Sequence, residues 1–131
     1  MIEQGLVELV QGNAGVSAIA AAGGYFAILP KDATLPSWTY TFIFNSSGLT
    51  LTTPESQTPS RVQIDCYGSA AADAIRLAKA IDSVLSGYRG TLADPDSIFV
   101  QGCFQINSID FFDDARRTYR RMLEYRLWYN A

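Results

Sequence analysis

Two segments of the chain alternate apolar and polar side chains with the two-residue period of a half-buried β-strand. In residues 38–44 aromatic side chains occupy every second position, and in residues 61–67 apolar and polar residues alternate. Because aromatic and β-branched residues favour strands, both segments are predicted to be strands. The short apolar run 25–29, which ends at Pro30, predicts a further strand before them.

The clearest helical pattern follows these strands. From Ser69 to Leu85 apolar residues recur every three or four positions, and charged residues occupy the opposite face. Ser69 is the expected N-cap, and Gly87 stands where a glycine commonly ends a helix. The predicted apolar stripe consists of Ala71, Ala74, Ile75, Ala78, Ile81 and Leu85.

The start of the chain predicts a second, shorter helix. The apolar residues of segment 2–10 recur at helical spacing, and Gly12 and Asn13 are expected to end the helix. The polar segment 32–36 is predicted to be a loop.

The last third of the chain predicts one strand, one turn and one ambiguous segment. Residues 98–106 are expected to be a strand with Ile98, Val100, Phe104 and Ile106 on one face. Residues 109–114 are rich in aspartate, which is typical of a turn.

Residues 118–129 fit either a strand or a helix, and their aromatic content favours the strand. The strand would place on one face Tyr119, Arg121, Leu123, Tyr125, Leu127 and Tyr129. It would place on the other Arg120, Met122, Glu124, Arg126 and Trp128. The helix would instead have an apolar stripe of Ala115, Tyr119, Met122, Leu123 and Leu127.

Residues 45–60 contain many serines, threonines and prolines and keep no period, so a long flexible loop is predicted there. We find no internal repeat, and 131 residues suit a single domain spanning 1–131. Helices interleaved with strands predict an α+β fold: a two-layer sandwich with a mostly antiparallel sheet and two helices packed on it.

Charge and composition limit the kinds of function that the protein can have. The net charge of −3 and the pI near 4.7 give no overall basic field for nucleic acid. Charged residues make up 18% of the chain, below the typical ~25%, which suggests that a partner covers part of the surface. No apolar run reaches the ~18–20 residues that span a bilayer, so no membrane association is expected.

The sequence does not indicate a catalytic site. The chain has no histidine, which is the commonest general base and zinc ligand. Its grouped carboxylates occur in turn contexts, where aspartate caps helices and forms turns. These carboxylates are Asp94, Asp96, Asp110, Asp113 and Asp114. Cys66 and Cys103 lack metal or redox spacing and are expected to be buried thiols, with a disulfide as the alternative. We therefore expect no enzyme, no cofactor and no metal.

Arginines crowd the end of the chain, at Arg116, Arg117, Arg120, Arg121 and Arg126. They would suit contacts with phosphates, but the acidic net charge favours a solvated face or pairing with carboxylates, including those of a neighbouring protein. Arginine, tyrosine and tryptophan together are typical of interface hot spots. Arg126 and Trp128 are therefore expected on a docking surface, with core packing of Trp128 under a helix as the alternative.

The order of motifs resembles a known family. The segment 61–68 (RVQIDCYG) leads directly into the alanine-rich helix 69–85, and segment 87–90 (GYRG) follows. A strand, a DFFD turn at 110–113 and the ending 119–129 (YRRMLEYRLWY) complete the order. This layout resembles the tail-completion proteins of long-tailed bacteriophages, also described as tail terminator or tail-to-head joining proteins.

The resemblance implies a final segment that is a strand and a subunit that forms a ring, typically a hexamer. Such a ring caps the finished tail tube and presents a surface to the head connector, and DNA passes through it without specific binding. The expected location is the virion tail or neck, after assembly in the cytoplasm of a bacterial host. Another neck or head-completion connector subunit is the alternative, and a small carboxylate-based enzyme is a third.

Interface residues are expected in two places. One is the C-terminal group of arginines together with Trp128. The other is the predicted loop, which would order on docking, and its candidates are Ser47, Leu49, Leu51, Pro54 and Glu55.

Overall fold

The structure is a computed structural model, and it describes residues 2–21, 23–44, 58–92, 98–115 and 117–129. Over these residues the chain forms three helices and six strands. The helices are α1 (Ile2–Gln11), α2 (Ala14–Ile19) and α3 (Ala71–Leu85). The strands are β1 (Gly24–Phe26), β2 (Ser37–Phe44), β3 (Thr58–Gly68), β4 (Gly90–Thr91), β5 (Phe99–Asp113) and β6 (Thr118–Tyr129). The predicted α+β class is confirmed, with three helices where two were predicted.

The strands form one sheet in the order β1-β2-β3-β6-β5-β4. Strands β1 and β2 run parallel, with Phe26 beside Tyr40, and the other four pairings are antiparallel. The sheet is therefore mixed rather than purely antiparallel. Strand β1 forms one edge of the sheet. The other edge is formed by the short β4 and, where β4 has ended, by β5.

The core lies between α3 and one face of the sheet. Helix α3 packs on β3, β5 and β6, and α1 and α2 pack against α3. The buried side chains of α3 are Ala74, Leu77, Ala78, Ile81 and Leu85. The predicted stripe is therefore shifted, since Leu77 belongs to it and Ala71 is exposed. Removal of these apolar groups from water is the main stabilising term of such a core.

Helix α3 begins at a different residue from the one predicted, and it ends as predicted. The N-cap is Ala70, which makes no side-chain capping hydrogen bond, so the prediction of Ser69 as N-cap is wrong. The helix starts at Ala71, two residues after the serine, which leaves the Ser69 hydroxyl one position too early to cap it. At the other end Gly87 has the positive φ of 76° expected after a helix, and its N–H donates to the Cys103 carbonyl at 2.7 Å.

Helix α2 was not predicted. Asn13 does not merely end α1, because its side chain accepts hydrogen bonds from the N–H groups of Gly15 and Val16 and caps α2. Helix α2 has six residues and one buried side chain, Val16, so it presents no apolar stripe that a periodicity could detect.

Strand β5 is longer than predicted and changes face along its length. The register with β6 shifts between Val100 and Gly102 and again between Gln105 and Asn107. Each shift interrupts the alternation of faces. Ile98 and Val100 are therefore buried, whereas Phe104 and Ile106 are 55% and 44% exposed. The prediction that these four residues share a face is wrong.

Residues 109–113 belong to β5, so the predicted turn at 109–114 is also wrong. Asp110 lies opposite Arg121 in the sheet, and this pairing outweighs the turn preference of aspartate. Segment 118–129 is the strand β6, as favoured, and its helical alternative is wrong. Its core side chains are Leu123, Tyr125, Leu127 and Tyr129.

Strand β3 begins at Thr58, so the predicted loop 45–60 ends earlier than expected. Residues 45–57 lie outside the described residues. The helices in the described part of the chain are too short and too polar to cross a membrane.

Candidate functional site

The candidate site is the long hairpin formed by β5 and β6, which carries most of the predicted arginines. In its register Asp110 lies opposite Arg121, and Phe111 lies opposite Arg120. Successive residues of a strand point to opposite faces. Arg121 therefore shares the helix-bearing face with Leu123, while Arg120 lies on the other face, which we call the outer face.

Arg121 is bound to a carboxylate of its own chain. Its Nε donates to Asp110 Oδ1 at 2.6 Å and its Nη2 donates to Oδ2 at 3.0 Å, which is the bidentate geometry of a strong pair. These hydrogen bonds hold the pKa of the Asp110 carboxyl below its ordinary value of 3.8 and raise the pKa of Arg121. The Arg121 side chain is 24% exposed, so little of it remains for an external partner.

Arg120 is held on the outer face by an aromatic ring and a buried acid. Its guanidinium carbon lies 4.3 Å from the centroid of the Phe111 ring, a cation–π distance. Its Nε lies 3.6 Å from Asp65 Oδ1, which is too long for a hydrogen bond, and both atoms are buried without a hydrogen-bond partner. The other Asp65 oxygen accepts from Gln63 Nε2 at 3.1 Å. Arg120 therefore helps to neutralise a buried carboxylate of its own chain.

Arg117 lies at the end of the hairpin and is largely exposed. Its side chain is 77% exposed and forms an ion pair with Asp114 at 3.2 Å. Its guanidinium carbon also lies 5.5 Å from the Phe112 ring centroid. Phe112 in turn contacts Tyr119 across the strands, with ring centroids 4.9 Å apart. We call Phe112, Arg117 and Tyr119 the hairpin tip.

Arg126 and Trp128 lie on the outer face at the other end of β6. Arg126 is exposed, and among the described residues it has no ion-pair partner. Trp128 is half-buried beside Gly102 and lines a shallow depression with Gln101 and Phe104. Since it alternates with the core residues of β6, Trp128 lies on the face away from the helices and not under α3.

The remaining predicted interface residues lie outside the described residues. They are Arg116 and the loop residues Ser47, Leu49, Leu51, Pro54 and Glu55.

An exposed apolar row follows β5, with side chains on both faces of the sheet, and it was not predicted from the sequence. These residues are Phe104, Ile106, Ile109, Phe111 and Phe112. The Cys103 carbonyl on the outer edge of β5 accepts from Gly87, and beyond Cys103 no described strand pairs with this edge, so its backbone there is open to a further partner. The composition of residues 104–112 favours a strand and was the available signal. Asp110 within this segment, and Asp113 and Asp114 after it, obscured that signal because they favour a turn.

The opposite edge of the sheet carries a groove between α1 and the strands β1 and β2. Its volume is about 510 Å³. The side chains that line this edge groove are Glu3, Gln4, Val7, Glu8, Phe26 and Tyr40. The rings of Phe26 and Tyr40 meet edge to face with centroids 5.6 Å apart, and Phe26 is 65% exposed.

The carboxylates considered for catalysis do not converge in the described part of the chain. Asp110 and Asp114 form separate ion pairs with arginines. Asp94, Asp96 and the side chain of Asp113 lie outside the described residues. Nor do the described residues contain a group of three or more side chains that could hold a metal ion.

Both cysteines are buried free thiols, as expected. Burial raises the pKa of the Cys66 thiol, and it raises the pKa of Cys103 to about 12. Near them the Tyr125 hydroxyl donates to Asp82 Oδ1 at 2.7 Å and ties β6 to α3. Burial, followed by this hydrogen bond, raises the pKa of Tyr125. These groups hold the core together and face away from solvent.

Comparison with known proteins identifies the fold and then the family. A comparison with curated proteins finds no match. Among solved structures, one chain of the virion of a native gene transfer agent particle matches with a TM-score of 0.70. The match covers 96% of this chain and 92% of that chain at 14% sequence identity. At this identity the likeness concerns the fold, so the protein has the fold of a virion component.

The family model described as "Tail completion protein gp17" matches residues 4–130. The chain belongs to this family of tail completion proteins. It is therefore a structural protein of a phage-like virion, located in the tail or neck, and the resemblance drawn from the order of its motifs is confirmed.

Proposed function

We propose that the protein assembles into a ring of six identical subunits, which caps the finished tail tube and joins it to the head connector. The observation that carries this proposal is the exposed apolar row on the open edge of β5. Large exposed apolar surfaces on a small domain generally mark contacts with other proteins. In a family of tail completion proteins, the partners to consider first are further copies of the chain and the neighbouring tail and neck proteins.

A ring requires head-to-tail contacts, in which two different surfaces of the subunit meet. The described part of the chain offers two such surfaces at the opposite edges of its sheet. One is the β5 edge with its apolar row, and the other is the β1 edge with Phe26 and the edge groove. Two unlike surfaces on opposite sides are what a closed ring of identical subunits uses.

The electrostatics are consistent with a channel through which DNA passes without specific binding. Several arginines of a type that suits phosphate contacts are instead paired within the chain: Arg121 with Asp110, Arg61 with Glu124 and Arg120 with Asp65. The net charge of −3 also disfavours retention of a polyanion.

The first experiment measures the assembly of the purified protein. Sizing with light scattering should give a mass of six subunits, and negative-stain images should show a ring with a central hole. Mixing the protein with isolated tail tubes and with isolated heads should give binding to the tubes first. Preferential binding to heads in the absence of tails would instead support a connector subunit of the head.

A pair of matched variants tests the observation that carries the proposal. The double variant Ile106→Ser and Ile109→Ser removes two exposed side chains of β5, and we expect it to lose ring formation and keep its fold. Ile43→Ser is the control, because Ile43 is an exposed isoleucine on β2, away from the β5 edge and outside the side chains that line the edge groove. Rings of normal stability from the β5 variant would contradict a role of this edge in assembly.

A further inference from the structure

We propose that the hairpin tip of one subunit inserts into the edge groove of a second copy of the chain. This inference rests on the proposed ring and specifies the contact that closes it. The tip consists of Phe112, Arg117 and Tyr119, at the end of the β5–β6 hairpin. The groove lies between α1 and the β1–β2 side of the sheet.

The tip combines apolar surface with a cation. Phe112 and Tyr119 are both exposed and pack against each other across the strands with tilted rings, and Arg117 lies against the ring of Phe112. The ion pair of Arg117 with Asp114 joins two largely exposed side chains, and such pairs contribute little to stability. The guanidinium can therefore exchange Asp114 for another carboxylate when the tip is buried.

The groove has the complementary composition. Val7, Phe26 and Tyr40 give it an apolar lining, and Glu3 and Glu8 of α1 give it negative charge. Its volume of about 510 Å³ falls within the ~300–1,000 Å³ of pockets that enclose small organic ligands, so an aromatic side chain has room to enter. An aromatic tip that carries an arginine matches this groove in both polarity and charge.

The positions of the two surfaces exclude their meeting within one subunit. The three strands β6, β3 and β2 lie between β5 and β1. The four spacings from β5 to β1 together amount to roughly 19 Å at about 4.8 Å per spacing. The tip of each subunit must therefore find the groove of another. Because the contact joins unlike surfaces, repeating it from subunit to subunit produces a ring when the rotation closes.

Crosslinking tests the contact directly. We place one cysteine at Gln4, an exposed residue of the groove, and one at Ala115, in the turn that joins β5 to β6. A short bismaleimide should link the double variant Gln4→Cys and Ala115→Cys into a ladder of covalent oligomers that ends at the ring size. The native Cys66 and Cys103 are buried and should not react.

Three controls define the result. Each single-cysteine variant should give no ladder, and neither should Lys79→Cys combined with Ala115→Cys, because Lys79 is exposed on α3 outside the groove. Rings of the double variant that form normally but do not crosslink would overturn this contact and leave the proposed ring intact. Crosslinks from Gln4→Cys to a tail tube protein would also overturn it, since the groove would then hold a different partner. Failure of the wild type to assemble, alone or on tail tubes, would contradict both the contact and the proposed function.

Discussion

Arg121 and Asp110 lie opposite each other on neighbouring strands and form a bidentate ion pair, with donor–acceptor distances of 2.6 and 3.0 Å. Because of this pair, not every arginine near the end of the chain is available to a partner. The sequence suggests a cluster available to a partner, but Arg121 is engaged within its own hairpin, and Arg120 is held between Phe111 and Asp65. Arg121 and Arg120 thus shape the hairpin, while Arg117 and Arg126 are exposed.

The Arg121–Asp110 pair should stabilise the hairpin by a measurable coupling energy. A double-mutant cycle with Arg121→Ala and Asp110→Ala in urea unfolding should give a coupling of about 0.5–1 kcal/mol, because the pair is bidentate but Asp110 is mostly exposed. The control cycle joins Arg76 to Asp73, whose atoms lie 3.5 Å apart on α3, and should give about 0.3 kcal/mol or less. Equal coupling in the two cycles would show that the hairpin pair is ordinary surface charge.

Asp110 should also contribute to the acid sensitivity of the protein. Its folded pKa is held below the ordinary value of 3.8, so the native state binds fewer protons than the unfolded state in that range. The contribution is present above about pH 4, near the ordinary value, and is lost as the pH falls through the lowered pKa. Asp110→Asn should therefore flatten the decline of unfolding free energy with pH below about 4. An unchanged pH profile in the variant would contradict this assignment.

The two thiols should resist modification as long as the protein is folded. Burial raises the pKa of both Cys66 and Cys103, which leaves almost no thiolate at neutral pH. A chromogenic disulfide reagent at pH 8 should label neither cysteine in native buffer and both in denaturant. Fast labelling of one thiol in the native protein would show that its part of the core opens.

Charge reversal on either side of the proposed contact should weaken assembly, and combining the reversals should restore it. Arg117→Glu or Glu8→Lys alone should raise the concentration for half-assembly by about tenfold or more, a typical loss at an interface hot spot. The double variant presents the opposite charge on both surfaces, so its assembly should approach that of the wild type. Sedimentation velocity measures the shift.

Arg76→Glu is the matched control for this experiment, because it reverses an exposed charge on α3 away from both surfaces. We expect it to leave assembly unchanged. Single reversals that behave like Arg76→Glu would count against the contact between tip and groove.

Gly24 should be essential for the packing of β1 on β2. A Cβ at this position would lie 2.6–2.7 Å from the ring of Trp38, which is buried and cannot move aside. Gly24→Ala should cost about 1–3 kcal/mol in thermal or urea unfolding through overpacking. Trp38→Phe in the same chain should recover part of that loss by making room. If the changes in unfolding free energy of the two substitutions simply add, a side chain at position 24 does not clash with Trp38.

The elements with a strong period could be predicted from the sequence. Helix α3 and the strands β2, β3 and β6 appear where their patterns indicate, because each buries one continuous face against the core. The features that were not predicted depend on contacts between segments that are distant in the sequence. The faces of β5 depend on two register shifts that pairing with β6 imposes, and the sequence of β5 alone does not reveal them.

The sequence pointed to the strand that carries most of the candidate residues, and it did not reveal how their side chains are arranged. The Arg and aromatic residues of β6 were recognised, but Phe111 and Phe112 were assigned to a turn. The partners of the arginines could not be deduced, since Asp110 faces Arg121 only in the observed register. The side chains of the edge groove come from α1, β1 and β2, which are separate segments of the chain. Val7 therefore lies near Phe26 and Tyr40 only in the folded structure.

Electron microscopy of the purified protein, alone and on isolated tail tubes, tests the central claim most directly. We expect closed rings of six subunits with a central hole, and the same rings at one end of each tube. A protein that stays monomeric in solution and leaves the tube ends bare would contradict it.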